Sequence, residues 1–223
     1  MSTRTIRIKI CGITNADDAA AVAAAGADAI GLNFYPKSPR HLEPEQVPPI
    51  LEAVPPGVVK VGLFVNAPVE FVCQTFDQLE LDLVQLHGDE PPEYLATLGD
   101  RPVIKAFRPG PEGLGPIQDY LRRCEAEGCR PRLVLIDACR PGHYGGTGQV
   151  ADWSALAEYA PSPTFPPMVL AGGLTPENVA EAIRTVRPAA VDTASGVESS
   201  PGRKDPARVA AFVRAAREAF AEA

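Results

Sequence analysis

The chain has 223 residues, 45% hydrophobic and 22% charged, which supports one sizeable core. Its formal net charge of −7 and pI near 5.1 argue against a general nucleic-acid binder. The 24 prolines and 19 glycines fall mostly between apolar runs, so they punctuate a fold and do not mark a disordered tail.

Residues 6–10 read as a first strand, closed by Cys11-Gly12-Ile13-Thr14. The segment before them alternates polar with apolar residues and reads as strand, not as a signal peptide. Asn15 caps an alanine-rich helix that stops near Gly26. Residues 29–34 are the second strand, and a long loop through Ser38, Arg40 and His41 leads to a helix near 43–53. The third strand is 58–64, followed by a helix over 68–78. The fourth, 82–86, closes on His87-Gly88, and Pro91-Pro92-Glu93 opens the next helix. Strand five is 102–107, with a helix over 113–127. Strand six, 132–136, ends on Asp137. The loop after it carries Tyr144-Gly145-Gly146-Thr147-Gly148, a flexible linker or a mobile cover, of which the cover is preferred. Residues 152–159 then read as helical. Strands seven and eight are 167–171 and 189–192, and a closing helix over 205–221 sets Val209, Phe212, Val213 and Phe220 on a helical period.

Short strands alternating with helices imply a parallel sheet with crossover connections. Eight such units close into a single-domain α/β fold, a (β/α)8 TIM barrel spanning 1–223. A doubly wound open sheet is the alternative, but it would want a Gly-rich fingerprint after the first strand, and Cys11-Gly12-Ile13-Thr14 is not one. The five cysteines, Cys11, Cys73, Cys124, Cys129 and Cys139, are odd in number and lack framework spacing, which suits reduced thiols in the cytoplasm. Cys139 and His143 have loose ligand spacing, but nothing completes a zinc site; neither metal nor cofactor is expected. No apolar run is long enough for a bilayer, so no membrane partner is expected either.

In such a barrel the active residues stand at the carboxyl ends of the strands. Those ends are Cys11, Asn33, His87, Asp137, Gly172-Gly173 and Asp192, with Phe64 and Phe107 as apolar walls. The stretch from Met168 to Glu198 contains two Gly turns in adjacent units. The first is Gly172-Gly173, before a helix that Thr175 would cap and Pro176 would open. The second is Ser195-Gly196. Bare backbone N–H groups at both turns would seat a phosphate, where barrels commonly place one.

Six segments, in order and on matching barrel elements, resemble phosphoribosylanthranilate isomerase: Lys9 to Thr14, Ser38-Pro39-Arg40, Val84 to Gly88, Tyr144 to Gly148, Ala171 to Leu174 and Asp192 to Glu198. The last departs from the usual Asp-Val-Ser-Ser-Gly, since Thr193 and Ala194 replace the middle pair, while Ser195 and Gly196 remain. The resemblance implies an Amadori rearrangement of N-(5-phosphoribosyl)anthranilate, a step of tryptophan biosynthesis. It implies Cys11 as general base and Asp137 as general acid. Lys9, two residues before Cys11 on the same strand face, would favour the thiolate, and substrate anions near Asp137 would favour its protonated form. Arg40 would grip the substrate carboxylate through a bidentate fork. Gly146, Gly148, Gly172, Gly173, Ser195 and Gly196 would hold the phosphate, with Lys9, His87 and Asp192 in support. Gln85 and Lys105 read as interior polar supports. The partner is thus a small-molecule substrate, and the family includes both monomers and homodimers.

Rival readings differ at named residues. A metal-dependent sugar-phosphate epimerase would need more histidines at strand ends than His87. A related histidine-pathway isomerase would want Asp where Cys11 stands. A non-catalytic phosphate-binding barrel would have no reason to place Cys11 and Asp137 at the mouth.

Overall fold

Eight parallel strands hydrogen-bond in chain order and close on themselves. They are β1 (Ile8–Cys11), β2 (Ala29–Asn33), β3 (Val59–Phe64), β4 (Leu83–Leu86), β5 (Val103–Phe107), β6 (Leu133–Asp137), β7 (Met168–Ala171) and β8 (Ala190–Thr193). β8 returns to β1 with Asp192 opposite Lys9. The structure, a computed structural model, describes residues 5–138, 153–159 and 165–222. Side chains alternate across each strand, so one set fills the barrel and the other packs outward. Val61, Leu83, Ile104, Leu135 and Val169 fill the interior. Ile8, Ile10, Val84, Val134 and Leu170 face the surrounding helices. The same alternation carries Lys9 and Cys11 inward, opposite in facing to Ile8 and Ile10, and Asp192 inward with Ala190.

The crossover helices are α1 (Ala16–Ala24), α2 (Pro48–Glu52), α3 (Val69–Gln78), α4 (Pro92–Thr97), α5 (Gly115–Ala126), α6 (Val179–Val186) and the closing α7 (Pro206–Glu222). Asn15 caps α1 by accepting from Asp18 N at 2.8 Å. The helix expected over 43–53 is divided into a 3-10 turn at Pro44–Gln46 and the short α2. Pro48 and Pro49 have no N–H to continue the turn before them, and they suit the first positions of a new helix instead. The segment expected as helical over 152–159 is a 3-10 helix at Ser154–Glu158 where it is described.

The opening of α6 also differs from expectation. Its N-cap is Asn178, not Thr175, and Pro176 precedes the helix. Asn178 accepts from Thr175 N at 2.8 Å and donates to Gly173 O at 3.0 Å, so its amide braces the turn. An antiparallel hairpin, β9 (Glu198–Ser200) with β10 (Arg203–Lys204), follows β8 and was not foreseen. Asp205 then precedes α7, and its carboxylate accepts from Ala207 N and Arg208 N at 2.9 and 3.2 Å.

Candidate active site

Cys11 closes β1 and Lys9 precedes it on the same face. Lys9 Nζ reaches Asp192 Oδ1 at 2.9 Å, with the two side chains only 1% and 9% exposed. Burial works against the Lys9 charge, but Asp192 and Cys11 beside it outweigh burial and hold the ammonium above its ordinary range. Burial pushes the Asp192 carboxyl up against the pull of Lys9. Gly31 lies opposite Cys11 in the strand register. A Cβ there would stand 2.7 Å from Cys11 Sγ and 3.0 Å from Lys9 Nζ, so a side chain on β2 would displace both groups.

Asp137 ends β6 with its side chain 19% exposed. His87 Nε2, beyond the end of β4, lies 3.7 Å from one Asp137 oxygen, and Arg108 Nε, just past β5, lies 3.6 Å from the same oxygen. His87 Nδ1 is 3.3 Å from Gln85 Nε2. If Gln85 donates there, the ring proton is on Nε2 and points toward Asp137. Among the described residues His87 Nε2 has no hydrogen-bond partner. Gln85 is fully buried and shares the inward face of β4 with Leu83. Lys105, in contrast, does not face the interior as expected. Its neighbours Ile104 and Ala106 do, so Lys105 points to the helix layer, where it pairs with Glu90 at 2.8 Å and donates to Gly88 O at 2.7 Å. That pair steadies the turn after His87 from behind.

Arg40 rises from the β2 loop, its backbone N bonded to Ser38 Oγ at 3.1 Å. Its guanidinium is forked on Glu198, Nε at 2.7 Å and Nη2 at 2.5 Å. Gly12 makes room for the Arg40 stem: its φ is +75°, and a Cβ there would collide with Arg40 Cδ.

The two Gly turns are neighbours. Gly172 and Gly173 have φ of 94° and 69°, left-handed values that favour glycine. Thr193 Oγ1 donates to Leu174 O at 2.7 Å, and a Cβ at Gly196 would strike that same carbonyl. Gly196 is thus required by the close approach of the two turns. Gly146 and Gly148, with Cys139 and His143, lie outside the described residues.

A cavity of about 470 Å³ brings together Cys11, Arg40, His87, Asp137, Gly172-Gly173, Asp192 and Ser195, with Arg108 also on its wall. Gly196 backs the seat without lining it among the described residues. A larger hollow of about 570 Å³ lies under the amino ends of the strands, walled by Ile6, Val59, Leu83 and Pro102. Among the described residues its lining has no thiol and no histidine, whereas the cavity at the carboxyl ends has both. Among the described residues no three His, Cys, Asp or Glu side chains gather as metal ligands would. Sequence reasoning passed over Arg108, Glu198 and Lys204 as site residues. Arg108 follows a strand end by one residue, which was the available signal; Lys204 sits on a two-residue strand with no readable period.

Comparison with known proteins agrees with this geometry. A family model described as N-(5'-phosphoribosyl)anthranilate isomerase matches residues 8–215. The enzyme of that name from Geobacter sulfurreducens is 50% identical over 213 residues, covering 95% of this chain and 98% of the relative. The crystal structure of phosphoribosyl anthranilate isomerase from Thermotoga maritima superposes with a TM-score of 0.83 at 41% identity, covering 96% of this chain and 99% of that one. A structure of the isomerase in complex with reduced 1-(o-carboxyphenylamino)-1-deoxyribulose 5-phosphate gives a TM-score of 0.80 at 39% identity, with coverage of 96% and 99%.

Proposed function

The chain belongs to the N-(5'-phosphoribosyl)anthranilate isomerase family, whose reaction is a step of tryptophan biosynthesis, and on that premise we propose that Cys11 is its general base and Asp137 its general acid. The substrate is an aminoaldose. Asp137 gives a proton to the furanose ring oxygen as the C1–O bond breaks and a Schiff base forms between C1 and the anthranilate nitrogen. Cys11, as thiolate, takes the proton from C2, and those electrons form the C1–C2 double bond of an enolamine. Tautomerisation of the enol, with a proton added at C1, gives the ketone.

The observation that carries this reading is that Cys11 and Asp137, from β1 and β6, line one cavity together with both Gly turns. The Lys9 ammonium stands next to Cys11 on the same strand face. Gly172-Gly173 and the Ser195-Gly196 turn suit the sugar phosphate, and Arg40 suits the anthranilate carboxylate. No helix of the described residues is long and apolar enough to cross a membrane. The four cysteines described are unpaired, which suits a reducing compartment such as the cytosol.

The test is to incubate purified protein with phosphoribosylanthranilate and follow the loss of substrate fluorescence. The wild-type protein should consume the substrate, and Cys11→Ala and Asp137→Asn should each be severely slowed. Near-normal turnover by either variant would end that residue's assignment.

A further inference from the structure

Glu198 is the meeting point of two cations that the mechanism above leaves unconnected. Its carboxylate accepts from Arg40 Nε and Nη2, and its Oε1 also accepts from Lys204 Nζ at 2.8 Å. The side chains of Glu198 and Lys204 are 4% and 0% exposed. Burial pushes the Glu198 carboxyl up, but the hydrogen bonds from Arg40 and Lys204 outweigh it and hold it below its ordinary range. Lys204 Nζ has three protons and three acceptors: Glu198, Cys11 O at 2.6 Å and Ala194 O at 3.2 Å. Its own backbone N is fixed by Asp18 Oδ2 at 2.8 Å.

We propose that Glu198 is a positioning residue for Arg40, holding one edge of the guanidinium so that the other edge meets the substrate's aromatic carboxylate, and that Lys204 couples this grip to the backbone of Cys11. The proposal rests on the reading that Arg40 takes that carboxylate. A guanidinium is planar and carries five N–H groups, so a carboxylate on Nε and Nη2 leaves the Nη1 edge for a second bidentate partner. The arrangement has the right order in space: Arg40 lines the cavity, whereas Glu198, among the described residues, is not on its wall. Two cations on one carboxylate leave the cluster with one excess positive charge, which favours an incoming anion. Lys204, donating to the Cys11 carbonyl, places the carboxylate anchor and the base in one hydrogen-bonded frame.

The experiment is a double-mutant cycle with Glu198→Gln, Arg40→Ala and their combination, assayed on phosphoribosylanthranilate and on the phosphoribosyl adduct of aniline, which lacks the carboxylate. Glu198→Asp runs beside them, because it keeps a charge for the buried Lys204 while shortening the reach to Arg40. Glu198→Gln and Glu198→Asp should lower kcat/KM for the natural substrate by roughly 10- to 100-fold, mainly through KM. Both should slow the aniline adduct far less than the natural substrate and add little to Arg40→Ala. Losses that add fully to those of Arg40→Ala, or that fall equally on the aniline adduct, would show a merely structural carboxylate and overturn the proposal. A fall in KM would show that Glu198 competes with substrate for Arg40, which also overturns it. If Arg40→Ala itself does not discriminate the two substrates, the carboxylate reading fails first, and the proposal fails with it.

Discussion

Lys9 Nζ and Asp192 Oδ1 meet at 2.9 Å inside the seam where β1 pairs with β8, two residues before Cys11. Neither charge has solvent to fall back on. Asp192→Asn should therefore cost roughly 3–5 kcal/mol, because an uncompensated ammonium is left buried. A lower urea midpoint at unchanged slope would be the sign. The double variant Lys9→Met with Asp192→Leu should regain most of that stability and yet turn over slowly, since the cation beside Cys11 is gone. Full activity in the double variant would take Lys9 out of the chemistry.

Cys11→Ala should reduce kcat by about 10²- to 10⁴-fold, the range for loss of a general base, with KM little changed. Single-turnover measurements isolate the proton-transfer step from product release. A loss well under a hundredfold would point to another base.

Asp137→Asn keeps the shape of the acid and removes its proton. Ring opening should become limiting, so a substrate already in the open-chain Schiff-base form should be processed far better than the closed furanose. Equal impairment on both forms would place Asp137 outside the first step.

Gly31→Ala tests crowding at the base. The added methyl would stand 2.7 Å from Cys11 Sγ and 3.0 Å from Lys9 Nζ. Overpacking of this kind costs roughly 1–3 kcal/mol in stability. The larger effect should fall on kcat, because the thiol itself must move; a thermal shift with unchanged kcat would count against that placement.

The Glu198 carboxyl is lowered from an ordinary 4.5 in the folded protein. Such a group contributes stability that is present above the unfolded value and lost as pH falls through the folded one. Wild-type stability should therefore decline below about pH 4.5 more steeply than that of Glu198→Gln, as measured by urea unfolding at successive pH values. Parallel slopes would mean that the carboxylate gains nothing on folding.

Much of the architecture could be read from the chain because alternation and turn residues carry it. Residue types at strand ends placed Cys11, His87, Asp137 and Asp192 at one mouth, since the parallel crossover pattern leaves all eight strands pointing the same way. Facing was less secure. Gln85 and Lys105 look alike as polar residues within apolar runs, yet one lies in the barrel and the other under a helix, because a single step in register exchanges the faces. The two Gly turns were legible as turns, but their mutual contact, Thr193 on Leu174 and Gly196 against the same carbonyl, is tertiary and has no local signature. The hairpin at 198–204 is too short to show a period, so Glu198 and Lys204 became site residues only when their partners in the first unit could be seen.

That hairpin has a consequence for synthesis. Lys204 holds the carbonyl of a residue 193 positions earlier. On the ribosome the strand that carries the thiol is therefore made well before its clamp. A chain built only as far as β8 has therefore closed most of its wall and still lacks the lysine that holds the Cys11 carbonyl.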